Sequence, residues 1–83
     1  MNKLEDPRGR WLVFVQAYWK VRECTGAARY CRLKEELGWE DLDEWLIQWW
    51  REGRIHLELG CPIEGEEERL EYNGLKYRWV VLG

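Results

Sequence analysis

Four side chains of this 83-residue chain carry donor atoms suited to zinc: Cys24, Cys31, His56 and Cys61. Structural zinc is held tetrahedrally by four such thiolates and imidazoles, with cysteines usually paired two to four residues apart. Here six residues separate Cys24 from Cys31, and no CxxC pair occurs. Reduced thiols and no bound metal are therefore expected. Hydrolytic chemistry has less to work with. The chain has no serine and one histidine, so a Ser-His-Asp arrangement is impossible. A Cys-His pair would need His56 beside a thiol, in a pocket that so short a chain scarcely provides. Carboxylates crowd residues 35–71, but at helix and loop spacings typical of solvated charge. The expectation is a protein that is not an enzyme, with no cofactor and no small-molecule substrate.

Charge patterning points to partners instead. Residues 1–34 hold eight Lys/Arg against three Asp/Glu, and residues 35–71 hold three against thirteen, within a net charge of -3. Such an asymmetry suits oriented docking on something charged or on a second copy of the chain; a solvated acidic face is the alternative. Arg8, Lys20, Arg29, Arg32 and Lys34 are the basic residues expected to contact nucleic acid, with aromatic neighbours able to stack. The competing reading is that several of them pair with the acidic half. The longest apolar run, Trp11 to Val15, is too short for a bilayer span or a signal-peptide core. An odd cysteine count argues against a disulfide-stapled secreted module. A soluble, cytoplasmic protein with no membrane contact is expected.

Seven tryptophans, four tyrosines and one phenylalanine stand in a sequence that is 46% hydrophobic. A chain this short buries roughly 60–65% of its unfolded surface and can build one modest core. Each aromatic side chain removes about 150–250 Å² from water when buried, so seven indoles exceed what that core can comfortably hide. Trp11, Trp19 and Trp50 are expected to stay partly exposed. Together with Phe14, Val15 and Tyr18 they form the predicted interface of a homodimer built through the first helix.

Local signals lay out the elements. Asp6-Pro7 is an N-cap followed by a residue suited to the first turn, and a helix is expected over 7–23 with Gln16, Lys20 and Glu23 as its polar stripe. Thr25-Gly26 breaks it, and Ala28-Arg29-Tyr30 is expected as a short strand. A second helix, 31–37, ends at Gly38. A third opens with Asp41 and Glu44 in capping-box spacing, repeats Leu42, Trp45, Leu46 and Trp49 at helical intervals, and ends at Gly53. Residues 54–59 alternate, placing Ile55, Leu57 and Leu59 on one face. Asn73-Gly74 signals a hairpin, and 76–82 form a closing strand.

That order of elements, carried by Leu33-Lys34-Glu35-Glu36-Leu37-Gly38, by Leu42 with Trp45-Leu46, and by Glu52-Gly53-Arg54-Ile55-His56-Leu57, resembles the winged helix-turn-helix family over about residues 8–82. The resemblance implies an α+β fold of three helices and a small antiparallel sheet. It implies one domain over 1–83, with a flexible N-terminus at 1–6 and a wing loop at 60–72. It further implies DNA binding or a role in transcription, with the third helix in the major groove. The sequence departs from that pattern in charge. The expected outward face of the third helix carries Asp41, Asp43, Glu44 and Glu52, which would repel phosphates, and only Gln48 and Arg51 could read base edges. The alternative is a protein-protein interaction or assembly module that has lost groove reading. DNA, a second copy and another protein are the partners in view.

Overall fold

The computed structural model describes residues 7–60 and 68–83. The N-terminal tail, the Asp6 cap, most of the wing loop and Cys61 lie outside them. Three helices, α1 (Pro7–Thr25), α2 (Tyr30–Leu37) and α3 (Leu42–Arg51), precede three strands, β1 (Ile55–Leu59), β2 (Leu70–Tyr72) and β3 (Leu75–Leu82). The strands form one antiparallel sheet in the order β1-β3-β2, so the chain is of the α+β class.

Helix α1 is apolar around most of its girdle, and the core selects one side of it. Phe14, Ala17, Tyr18 and Val21, spaced one helical turn apart, are buried. The helix runs two residues beyond its expected end. Thr25 stays helical, its hydroxyl donating to the Val21 carbonyl at 2.9 Å, and the Gly26 amide closes the last turn on Arg22 O at 2.7 Å. The expected strand at Ala28–Tyr30 shrinks to one bridge, Arg29 with Trp79. Tyr30 belongs to α2 because its ring is needed in the core, and the first helical hydrogen bond already forms from the Leu33 amide to Arg29 O. Trp79 pairs with Glu58 on its other side, so Arg29 and β2 share the edge of β3 that faces away from β1.

Gly38 ends α2 in the left-handed conformation at φ 67°, its amide bonded to Lys34 O. The expected capping box at α3 does not form. The Asp41 carboxylate instead accepts from Trp45 Nε1 at 3.1 Å and from Arg10 at 3.2 Å, on α1. Two partners, one of them charged, outcompete a lone amide for the same oxygens. Helix α3 then buries Leu42, Leu46 and Trp49. Its adjacent indoles diverge by the roughly 100° between helical neighbours. Trp49 meets Trp11 at 5.1 Å and Phe14 at 4.9 Å on α1, whereas Trp50 meets Tyr77 at 5.0 Å and Tyr72 at 6.2 Å in the sheet.

In the sheet, Ile55 and Leu57 face inward as expected, but Leu59 is exposed. Between Glu58 and Leu59 the pairing with β3 slips from Trp79 to Tyr77, leaving Arg78 as an extra residue. This bulge breaks the alternation on which the one-face expectation rested. Gly60 follows at a point of close approach, where an added Cβ would lie 2.6 Å from Cβ of Arg78. Residues 70–72, expected within the wing loop, are the strand β2. They pair with β3 across Asn73 and Gly74, both at positive φ (52° and 79°), the conformation a two-residue hairpin demands.

Candidate functional site

The basic residues expected to hold nucleic acid are dispersed. Arg8 and Lys20 stand about 18 Å apart along α1 at 1.5 Å per residue. Arg8 borders a groove of about 220 Å³ with Trp11 and Gln48, whereas Lys20 and Arg32 line a separate groove of about 320 Å³ between α1 and α2. Arg29 lies on the edge of β3. Carboxylates meet most of these cations. Lys20 donates to Glu36 at 2.9 Å, Arg32 approaches Glu35 at 3.8 Å, and Lys34 pairs with Glu68. The Glu36 and Glu68 carboxylates, as hydrogen-bond acceptors and opposite charges, raise the pKa of Lys20 and Lys34 respectively. With Arg10 to Asp41, these four pairs each join a cation of residues 1–34 to a carboxylate of residues 35–71. Arg32 and Glu35 are neighbours on α2, whereas the other three pairs link residues distant along the chain.

The two base-reading candidates are engaged as well. Gln48 donates to Glu52 at 3.3 Å and Arg51 to the Tyr72 hydroxyl at 3.3 Å. Asp43 accepts from the hydroxyl of Tyr30, whose ring is buried. Burial first, and the neighbouring Asp43 second, push the Tyr30 phenol well above its ordinary pKa.

The six residues expected at a dimer interface do not form one surface. Phe14 and Tyr18 are buried in the chain's own core, so no second copy can reach them. Trp11 and Val15 are half-buried; Trp11 packs in the Trp49 cluster with the Arg54 guanidinium over its ring at 5.2 Å. Trp50 is half-buried against the sheet, edge-on to His56 at 6.0 Å. Trp19 alone of the set is substantially exposed, at 47%. The ring of Tyr18 lies 5.3 Å away and perpendicular to it, and the Arg22 guanidinium lies over it at 5.2 Å.

Two residues absent from the expected interface join Trp19 there. Leu12 is 62% and Val13 46% exposed. At 100° per residue, Leu12, Gln16, Trp19, Lys20 and Glu23 lie within about a third of the helix circumference, with Val13 at its margin. The expected polar stripe is thus interleaved with apolar side chains. The stripe already marked this side as outward; what it did not mark is that Val13 and Trp19, at its margins, stay exposed with it.

Cys24 is exposed near the end of α1, Cys31 is half-buried at the start of α2, and His56 lies on the outer sheet face near Glu58 at 4.0 Å. Among the described residues no group of three His, Cys, Asp or Glu is placed to hold a metal ion. No helix among them is long and apolar enough to cross a membrane. Compared with protein-family models, with curated proteins and with solved structures, the chain matches none.

Proposed function

We propose that this chain is a non-enzymatic winged helix-turn-helix module that works by protein-protein association and has given up reading a DNA groove. Support for the winged-helix assignment comes from the element order and from the sheet. Arg29 bridges to the edge of β3 opposite β1, as the first, minimal strand of such a module would. The observation that carries the functional reading is the internal neutralisation of the basic residues. Lys20, Arg32 and Lys34 face carboxylates of the same chain, and the exposed side of α3 adds Glu44 and Glu52. A phosphate backbone would have to displace those glutamates and approach the α3 acids, so the counterion release that drives nonspecific binding has little to act on.

Fluorescence anisotropy with labelled duplex and single-stranded DNA tests this. No saturable binding is expected at about 100 mM salt, where electrostatic reach is roughly 10 Å. Saturable binding that weakens when Arg29 and Arg32 become alanine, with the salt slope falling by about one for each phosphate no longer neutralised, would restore the DNA-binding role that the family resemblance implies. Sensitivity to Gln48 and Arg51 substitutions would do so by the usual route through α3.

A further inference from the structure

Resting on the association reading, we propose that the partner is a second copy of this chain, joined strand to strand along the outer edge of β1 in an antiparallel pair centred on Leu57. Strand β1 ends the sheet order β1-β3-β2, so one of its edges has no strand beside it among the described residues. Hydrogen bonds fix which residues face that edge, because bonding direction alternates along an antiparallel pair. The Gly83 amide donates to Arg54 O at 3.0 Å, so these two residues bond toward each other. The Leu82 amide donates instead to the Tyr18 hydroxyl and the Val80 amide to Ala28 O, both away from β1. Their opposite residues, Ile55 and Leu57, therefore direct their own N-H and C=O groups away from β3, to the open edge. Unpaired backbone groups in such a row are a template for another strand.

Side chains make the edge its own complement. With Leu57 of each copy opposed about a two-fold axis, His56 falls opposite the partner's Glu58, Ile55 opposite the partner's Leu59, and Arg54 opposite the partner's Gly60. Leu59 is 56% exposed in the single chain. His56 and Glu58 bond toward β3, so across the new edge they form a non-hydrogen-bonded pair, the kind whose Cα atoms approach to about 4.5 Å. Within the chain they meet each other only at 4.0 Å, two residues apart on one strand, with Trp50 edge-on to His56. The cations nearest Glu58 are engaged elsewhere. Arg22, which borders the same groove, lies over Trp19, and Arg78 lies over Trp79. Because edge-facing residues must meet edge-facing residues, the register shifts only in steps of two. Centred on Glu58, the pair opposes two carboxylates; centred on His56, it opposes two imidazoles and overlaps less of β1. Arg54, which that last register would set against Glu58, is paired with Glu52 at 2.9 Å and lies over Trp11. The pair centred on Leu57 uses all five residues of β1 and sets imidazole against carboxylate at both ends. An edge this short makes a small interface, and the dimer is expected to dissociate reversibly on dilution.

Sedimentation velocity over a concentration series, with amide hydrogen exchange followed by NMR at both ends of it, reads the outcome. The expected result is a monomer-dimer equilibrium in which the Ile55 and Leu57 amides exchange freely in dilute protein and become protected as the dimer forms. Those of His56 and Glu58, bonded to β3, should be protected throughout. His56→Glu and Glu58→Lys should each raise the dissociation constant by about tenfold, each pair counting twice, and the two changes combined should restore it. Trp19→Glu, at an exposed position off this edge, should leave it unchanged. Circular dichroism checks that each variant remains folded; the unsubstituted chain supplies the primary test. A monomer at every concentration overturns the proposal. So does a dimer whose Ile55 and Leu57 amides still exchange freely, protection of both amides already in the monomer, or a charge exchange without rescue. If a chain that stays monomeric also binds no DNA, the association reading stands with a different partner. If it binds DNA, both fall.

Discussion

Leu12 and Phe14 stand two residues apart on α1, equally apolar in type, one 62% exposed and the other with no exposed surface. Trp49 and Trp19 make the same contrast among indoles. Trp49 is buried against Trp11, Phe14 and Trp45, whereas Trp19, in contact with Tyr18 and Arg22, is 47% exposed. The inner side of α1 follows the ordinary logic of a core. The outer side departs from it, with Leu12, Val13 and Trp19 left exposed.

The contrast is broken most severely at Trp49. Trp49→Ala should cost about 3–5 kcal/mol, a large part of the roughly 4–12 kcal/mol that 83 residues are expected to supply, so urea unfolding should show a protein close to its stability limit. Trp19→Ala should leave the unfolding midpoint of dilute protein nearly unchanged. If the two substitutions destabilise the dilute chain equally, the outer face is part of the core and the distinction fails.

Ion pairs at the two ends of α1 sharpen the same comparison. Arg10, its side chain only 11% exposed, lies over Trp39 at 4.6 Å and pairs with Asp41, which also accepts from Trp45. Lys20 and Glu36 meet in the open. Removing Asp41 takes the acceptor from the Trp45 indole N-H and the paired carboxylate from the largely buried Arg10 guanidinium, so Asp41→Ala should cost about 1–3 kcal/mol by chemical denaturation. Lys20→Met should produce no measurable shift in midpoint, as exposed pairs seldom do.

The mildest test is alkaline. Tyr30 is held above its ordinary pKa in the folded chain by burial and by Asp43. A folded pKa above the unfolded value means that the native state keeps a proton the unfolded state releases. The associated stability is present in full below about pH 10, the unfolded tyrosine value, and declines as pH rises beyond it. Thermal melts from pH 8 to 11 should therefore show the midpoint falling above about pH 10, with a shallower fall in Tyr30→Phe. Equal slopes in the two proteins would count against Tyr30 as the source.

Much of the fold is legible along the chain because local chemistry dictates it. Gly38 and Asn73-Gly74 are needed where φ is positive, the spacing of Leu42, Leu46 and Trp49 commits one side of α3 to the core, and Ile55 and Leu57 alternate inward. The departures arise where distant residues intervene. Asp41 abandons its cap for an arginine 31 positions away, Leu59 is turned outward by a bulge at Arg78, and Tyr30 joins a helix because the core needs its ring. The candidate surface was half legible. Trp19 was expected at the surface and Leu12 falls among Gln16, Lys20 and Glu23 on the helix, whereas Val13 carried no such signal, and Phe14 and Tyr18, expected at an interface, are buried.

By itself the sequence determined the number and kind of elements, the turns between them and the polarity of its two halves. These depend on backbone preference, periodicity and composition, all of which act between near neighbours. Tertiary structure decided how far the covered side of α1 extends and which carboxylates Arg10, Lys20 and Lys34 meet. The stripe of Gln16, Lys20 and Glu23 marks one side of α1 as outward, but a girdle otherwise so apolar carries no local instruction about how much of the rest to bury. That choice is made by the shape and charge of what packs against it, here α2, α3 and the sheet.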